Sequence, residues 1–185
     1  MTVAVQPVTP DRWDDLVAFF GPNGAYSNCW CAWFRVRAKD YDGPANRRLL
    51  QRLTREGAVP GLLGYDGGGP VGWVSMAPRE QFERILRSRA IGPAQPDELG
   101  VWSLVCFWIP APHRRKGVGT ALLDGAVAYA RSQHAAVVEA YPVDTVGEKR
   151  PGAELFTGTV TMFQRAGFTI TRHARSGRPI ARLTV

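Results

Sequence analysis

The segment that most constrains the fold is a strand-like run from Leu99 to Ile109 that is apolar on both of its faces. Such a strand belongs in the centre of a sheet that is covered on both sides. Pro110 ends it, and a basic turn then leads into a helical pattern from Gly117 to Ser132. A second strand-like segment follows from Ala135 to Val143. The order of strand, helix and strand predicts an α/β sheet.

The flanking segments supply further strands and helices. The pattern predicts a first strand at Val3, Val5 and Val8, helices at Trp13 to Phe20, Pro44 to Glu56, Arg79 to Arg89 and Leu155 to Ala166, a hairpin of Ala58 to Tyr65 with Val71 to Met76, and closing strands at Phe168 to Thr171 and Ile180 to Val185. We therefore expect a single domain over residues 1–185. Its core would be a mixed, twisted β-sheet of six to seven strands with helices on both faces.

Composition narrows the class of protein. With 185 residues, 45% apolar and 21% charged, the chain has the size and make-up of one globular domain and not of a disordered protein. The N-terminus lacks the basic start and apolar stretch of a secretory signal, and no apolar window reaches the roughly 20 residues of a membrane-spanning helix. Three cysteines, Cys29, Cys31 and Cys106, are an odd number for a disulfide framework. These features predict a cytoplasmic protein with free thiols and no membrane contact.

The basic turn is built like an anion-binding site. It consists of His113, Arg114, Arg115, Lys116, Gly117, Val118, Gly119 and Thr120. The two glycines allow close approach, so that backbone N–H groups and the positive end of the helix can converge on a phosphate. The turn has neither the P-loop order nor the three-glycine dinucleotide spacing. The net charge of +7 also favours an anionic partner. A solvated basic turn that merely precedes a helix is the alternative.

The motif Arg114-x-x-Gly117-x-Gly119 resembles the Gln/Arg-x-x-Gly-x-Gly/Ala signature of the GCN5-related N-acetyltransferase (GNAT) family, and the resemblance extends to Ala166-Gly167-Phe168. It implies a GNAT-like fold in which a central pair of parallel strands splays apart. Residues 99–185 would mainly bind acyl-coenzyme A (acyl-CoA), and residues 1–98 would mainly form the acceptor side. The implied cofactor-binding residues are Phe107, Trp108 and Ile109 along the pantetheine arm, Arg114, Arg115, Lys116, Gly117, Val118, Gly119 and Thr120 at the pyrophosphate, and Phe156 and Phe163.

The family reaction implied by this resemblance is direct attack of a substrate amine on the thioester in a ternary complex. The sequence departs from the family at three positions, where Phe163 replaces a tyrosine acid, Phe156 replaces an asparagine, and Ser103 replaces a glutamate base. Glu139 and Tyr141 lie on one face of the strand after the cofactor helix. We therefore take Tyr141 as the candidate acid, Glu139 as the candidate base and Ser103 as a third candidate. A purely structural role, with the glutamate paired to an arginine, is the alternative.

The N-terminal half contains a cluster of aromatic residues. By resemblance, the segment between the first two helices forms one wall of the acceptor pocket, and the candidate pocket residues are Tyr26, Trp30, Trp33, Phe34 and Trp73. Aromatic residues at this density also suit a hydrophobic core. Cys29 and Cys31 lack a second pair of ligands at usable spacing, so we expect no metal.

Together these features predict an N-acyltransferase that moves an acetyl group from acetyl-CoA to the primary amine of a small molecule. One alternative is a tRNA-dependent acyl or aminoacyl transfer enzyme of the same fold, suggested by the net charge and the arginine-rich helix Pro44 to Glu56. Another is a non-catalytic acyl-CoA-binding module, suggested by Phe163 and Ser103. A homodimer is left open.

Overall fold

A seven-stranded sheet forms the centre of the computed structural model, which describes residues 2–146 and 150–185. The strands are β1 (Ala4–Pro7), β2 (Gly61–Tyr65), β3 (Pro70–Pro78), β4 (Val101–Trp108), β5 (Val137–Ala140), β6 (Thr169–Arg172) and β7 (Pro179–Thr184). Their order is β1-β2-β3-β4-β5-β7-β6. β4 and β5 are parallel, and the other neighbouring pairs are antiparallel. The prediction of a mixed sheet of six to seven strands is confirmed.

Five α-helices accompany the sheet in the described residues: α1 (Trp13–Phe20), α2 (Gly43–Arg55), α3 (Glu83–Leu86), α4 (Val118–Ser132) and α5 (Val160–Arg165). α2 begins where the Asp42 carboxylate accepts a hydrogen bond from the Ala45 amide, and Pro44 occupies its first turn. α1 ends at Gly21, which has a φ of 63°. None of these helices has both the length and the apolar character needed to cross a membrane.

The helices pack on both faces of the sheet, as expected. On one face, α4 and α5 bury Leu122 and Phe163 against residues such as Leu104. On the other face, α1 and α2 bury Leu16 and Leu50 against residues such as Trp73. A third cluster surrounds Ile85 of α3 and includes Val105 and Tyr141. The central strand β4 therefore has apolar cover on both sides, which is why its sequence is apolar at both alternating sets of positions.

Two predicted helices differ in the structure. The surface helix expected from Arg79 to Arg89 is wrong, because residues Arg79–Gln81 form a 3-10 turn and α3 is a single turn. Arg79 lies in the interior, close to the buried Glu139 carboxylate. The helix expected from Leu155 begins only at Val160, because Gly158 adopts a left-handed φ of 80° and the Thr159 side chain then caps the helix.

β4 and β5 diverge halfway along β4. They are paired from Val101–Val137 to Leu104–Ala140, and beyond this point β4 continues to Trp108 with β3 as its only neighbouring strand. The segment before α5 lies alongside this open edge, where the Phe107 amide donates a hydrogen bond of 2.6 Å to the Phe156 carbonyl. The divergence creates a cleft between β4 and this segment, next to the start of α4.

Candidate active site

The turn into α4 presents a group of backbone N–H donors without acceptors. Arg115 and Gly117 adopt left-handed conformations with φ values of 58° and 82°. The amides of residues 115–120 donate no hydrogen bond to any described residue, and the first amide of this region that does so is that of Ala121, to Gly117. The first N–H groups of a helix lack intrahelical partners and lie at its positive end. The geometry therefore suits an anion such as a diphosphate.

The space beside Gly119, at the open amides of the turn, is not filled by other protein atoms. A methyl group built at Gly119 would meet only ordinary contacts, 3.5 Å from Ile109 Cδ1 and 3.9 Å from Met162 Cε. Packing within the protein thus does not require glycine here, and the missing side chain leaves the amides open. Arg115 and Lys116 are exposed at the same turn. The Arg114 side chain folds back, and its Nε donates to the Ile109 carbonyl at 2.8 Å.

A cavity of about 930 Å³ begins at this anion site, where Gly119 and Arg114 line it. It follows the end of β4 and the segment before α5, and it ends at the segment between α1 and α2. Its walls include Phe107, Trp108, Ile109, Leu155, Phe156, Thr159 and Met162 on the first side, and Tyr26, Cys29, Cys31, Trp33, Phe34, Tyr41 and Cys106 on the second. No aspartate, glutamate or histidine is among the described lining residues. The cavity suits a ligand with an anionic head and an apolar arm.

The candidate catalytic residues form a buried hydrogen-bond network beside this cavity. The Tyr141 hydroxyl donates to Glu139 Oε1 at 2.7 Å and lies 3.0 Å from Ser103 Oγ. The other Glu139 oxygen accepts from Arg182 at 2.5 Å and lies 3.6 Å from Arg79 Nη1. Burial, followed by the neighbouring Glu139 charge, raises the pKa of Tyr141 well above its ordinary value. The three residues are therefore together, but none of them lines the large cavity.

A family model described as the acetyltransferase (GNAT) family matches residues 26–150. The chain belongs to the GNAT family. The match covers the turn into α4, the strands β2 to β5 and most of the chain between α1 and α2. This confirms the family to which the turn and the following helix bear a resemblance in the sequence.

Solved structures with this fold include several acetyltransferases. An N-acetyltransferase from Staphylococcus aureus Mu50 is 11% identical with a TM-score of 0.58, and the match covers 100% of this chain and 99% of that one. A polyamine N-acetyltransferase from Drosophila melanogaster, which forms N-acetylagmatine, is 13% identical with a TM-score of 0.59, over 100% of both chains. The GNAT domain of S. lividans PAT is 22% identical with a TM-score of 0.55, over 100% of this chain and 92% of that one. These identities show the fold alone. No curated protein sequence matches the chain.

The structure divides the aromatic residues that were predicted to form the acceptor wall. Tyr26, Trp33 and Phe34 line the large cavity of this GNAT protein. Trp30 and Trp73 do not, and for them the structure supports the core alternative, because both are buried among α1 and β3 residues. Tyr41 also lines the cavity, with its ring 5.4 Å from that of Trp33. Sequence reasoning missed Tyr41, although it lies directly before the Asp42 helix cap.

Two expected cofactor contacts need correction. Phe163 is fully buried between the rings of Phe107 and Phe168, at 6.2 and 5.1 Å, and does not line the cavity. The Phe107 amide is already engaged by Phe156, so it is not free to bind a pantetheine arm. The Val118 side chain belongs to the core, and the predicted contact is one of its backbone amide, which donates no hydrogen bond to a described residue. Phe156 does line the cavity, because it precedes α5 instead of lying within it.

A second cavity of about 660 Å³ lies beyond Phe34 and Phe156, which line both cavities and whose rings are 6.2 Å apart. Tyr141 and Asp144 line it. The Asp144 carboxylate accepts a 2.6 Å hydrogen bond from Arg172, which lowers the pKa of Asp144. Asp144 is thus held at the surface end of the second cavity and not at the large one.

The three cysteines do not belong to a cluster of metal ligands in the described part of the chain. No cluster of three or more candidate metal ligands occurs within residues 2–146 and 150–185. All three thiols are free in the structure. Cys31 and Cys106 nevertheless meet in the wall of the large cavity.

Proposed function

We propose that this GNAT protein transfers an acetyl group from acetyl-CoA to the primary amine of a small molecule, by direct attack within a ternary complex. One observation carries the proposal. The unpaired amides of residues 115–120 open onto a continuous apolar cavity that ends at exposed aromatic side chains. An anion site joined to an apolar channel matches the shape and polarity of acyl-CoA, and the aromatic end offers room for an acceptor.

Different residues of the chain would contact the different parts of bound acetyl-CoA. The amides of residues 115–120 would hold the diphosphate, and Arg115 and Lys116 would add charge at its mouth. Ile109, Phe156 and Met162 would cover the apolar arm. When bound, acetyl-CoA supplies the activated acetyl group. The protein then contributes mainly by aligning the amine with the thioester and by excluding water.

The acceptor side favours an amine carried on an apolar or aromatic body. Tyr26 and Trp33 line the cavity and are 58% and 43% exposed, so they offer aromatic surface to a ligand there. The described lining offers no carboxylate to pair with an ammonium group. Aromatic faces can still attract a cation and pack against an apolar body. The amine must lose its proton before it attacks, and a site without carboxylates does not stabilise its charged form.

The first experiment measures cofactor binding and turnover with one matched pair of variants. Gly119→Ala adds a methyl group at the anion site without a clash in the protein. Gly68→Ala adds the same group in the exposed β2–β3 turn, where the nearest atom is 3.8 Å away. We expect Gly119→Ala to weaken coenzyme A binding by about tenfold, equivalent to about 1.4 kcal/mol, and Gly68→Ala to bind as the wild type does.

Turnover is followed as free thiol released from acetyl-CoA with a panel of amines. We expect release with 2-phenylethylamine to exceed release with ethanolamine, and Trp33→Ala to remove this preference. If the wild type neither binds coenzyme A nor releases thiol, the proposed function is wrong. Tight binding without release across the panel would instead support the non-catalytic acyl-CoA-binding module.

A tRNA-linked acceptor is a second candidate, because α2 carries exposed arginines on one side. These are Arg47, Arg48, Arg52 and Arg55. Counterion release would make tRNA binding fall steeply between low and physiological salt. A flat response, or no binding, would remove this candidate.

A further inference from the structure

Two cysteines that are distant in sequence meet in the wall of the large cavity. Cys31 Sγ lies 3.4 Å from Cys106 Sγ. Cys31 belongs to the segment between α1 and α2, which we call the wall segment (residues 21–42), and Cys106 belongs to the central strand β4. Both thiols line the cavity, and Cys106 is partly exposed. The sulfur atoms are therefore close together and reachable by a small reagent.

The surrounding hydrogen bonds fix which thiol is the donor. The Trp73 indole N–H donates to Cys31 Sγ at 3.2 Å, so the Cys31 S–H is directed to Cys106. This donation, together with burial, keeps Cys31 as a thiol and raises its pKa. Cys106 is partly exposed in the cavity wall, whereas Cys31 is buried. An incoming reagent therefore reaches Cys106 first, which makes Cys106 the attacking sulfur of the pair and Cys31 the sulfur placed to resolve it.

The wall segment depends on tertiary contacts for its conformation. Five of its non-glycine residues have left-handed φ values: Ala25 (70°), Ser27 (47°), Asn28 (55°), Trp30 (45°) and Cys31 (48°). Such conformations are unfavourable for residues with a Cβ atom and persist only where the surroundings hold them. A covalent bond between Cys31 and β4 would therefore fix a segment that contacts alone now hold.

We propose that Cys31 and Cys106 form a redox-active dithiol, and that its disulfide locks the wall segment onto β4. With a small disulfide as oxidant, the Cys106 thiolate attacks one sulfur of the reagent and releases the other half as a thiol. Cys31 loses its proton to solvent and displaces the second half. The two protein thiols give up two electrons and two protons in total, and the reagent is reduced to two thiols. This proposal does not depend on the acetyl-transfer activity.

The experiment treats the full-length protein with 2-hydroxyethyl disulfide and follows its intact mass. We expect the wild type to lose two hydrogens without retaining the reagent, and a non-reduced digest to give one cross-linked peptide pair containing Cys31 and Cys106. The oxidised protein should melt several degrees higher than the reduced one, because the bond closes a long loop. Dithiothreitol should reverse both changes.

Single variants separate this pair from its neighbour. Cys29→Ser should oxidise as the wild type does, although Cys29 lines the same cavity. Cys31→Ser should stop at a mixed disulfide on Cys106, and Cys106→Ser should gain no cross-link. Cys31→Ala and Cys106→Ala, in which no hydroxyl replaces the thiol, repeat the measurement if a serine variant does not fold. A Cys29–Cys31 cross-link, a mixed disulfide that persists on wild-type Cys106, or thiols that remain fully alkylatable after treatment would each overturn the proposal.

Discussion

Replacing Glu139 by glutamine tests whether the buried network beside the cavity is structural or catalytic. Glu139 is 2% exposed, and its two oxygens bind different partners. One accepts from Tyr141, and the other accepts from Arg182 and lies near Arg79. Glutamine has nearly the same shape and can still accept from Tyr141, so Glu139→Gln removes the negative charge and places an NH2 donor where Oε2 accepted from Arg182.

The loss of stability expected for Glu139→Gln depends on how well Arg182 and Arg79 remain compensated without the Glu139 charge. Breaking a buried ion pair by removing one partner costs about 3–5 kcal/mol, because the other charge is left uncompensated. Here Glu98 still binds Arg182 at 2.6 and 2.8 Å and lies 3.9 Å from Arg79. Arg182 is also partly exposed. We therefore expect the lower end of the range, a loss of about 3 kcal/mol in the free energy of unfolding, with turnover within a few-fold of the wild type.

The assay is urea unfolding followed by tryptophan fluorescence, with thiol release measured on the same preparation. Glu80→Gln is the matched control, because Glu80 is exposed and should change stability by less than about 0.5 kcal/mol. A loss below about 1 kcal/mol for Glu139→Gln would refute the structural reasoning. A drop in turnover of about a hundredfold or more at unchanged stability would assign Glu139 the role of a general base.

Three further predictions concern neighbouring parts of the structure. Tyr141→Phe removes a hydrogen bond to a buried carboxylate and should lower stability by about 2 kcal/mol in urea unfolding. Turnover should stay within a few-fold, and a large loss of turnover alone would favour the acid role. Gly117→Ala forces a Cβ atom into a φ of 82° and should lower the unfolding free energy by about 1–2 kcal/mol while weakening coenzyme A binding in calorimetry. Equal stability of the two proteins would contradict the left-handed turn. Because Arg172 lowers the pKa of Asp144, this pair adds stability above the ordinary aspartate range that is lost as the pH falls through the lowered value. An NMR titration should show the Asp144 pKa rising in Arg172→Gln, and an unchanged midpoint would exclude the pair in solution.

The central unit of strand, turn and helix could be predicted from the sequence because its signals are local. Leu99 to Ile109 is apolar on both faces apart from Ser103, Pro110 stops it, and Gly117 permits the left-handed turn from which α4 starts. Each of these signals depends on residues only a few positions apart. The unpaired amides of residues 115–120 follow from the same segment, since any helix start leaves its first N–H groups without partners.

Local patterns could not separate residues whose roles depend on distant partners. Arg79 has the polarity of a surface helix residue, but it is buried, where its Nη2 donates to the Gln95 and Glu98 carbonyls and its Nη1 lies 3.6 Å from Glu139, 60 positions away in the chain. Trp30 and Trp33 are the same residue type three positions apart, yet Trp30 is buried in the core and Trp33 faces the cavity. Trp30 and Cys31 have left-handed φ values, which change the direction of the chain there. No periodicity encodes such turns when the residues are not glycine.

The sequence by itself therefore determined the family, the central strand and the turn with unpaired amides, because these reside in a short segment with its own dihedral and hydrogen-bond preferences. Only the tertiary structure decided that Ser103, Glu139 and Tyr141 are joined in a buried network, that Phe156 occupies the cleft edge, and that Cys31 meets Cys106. The physical reason is that these contacts join strands and loops far apart in the chain. Their partners are fixed by sheet register and packing, which no local pattern records.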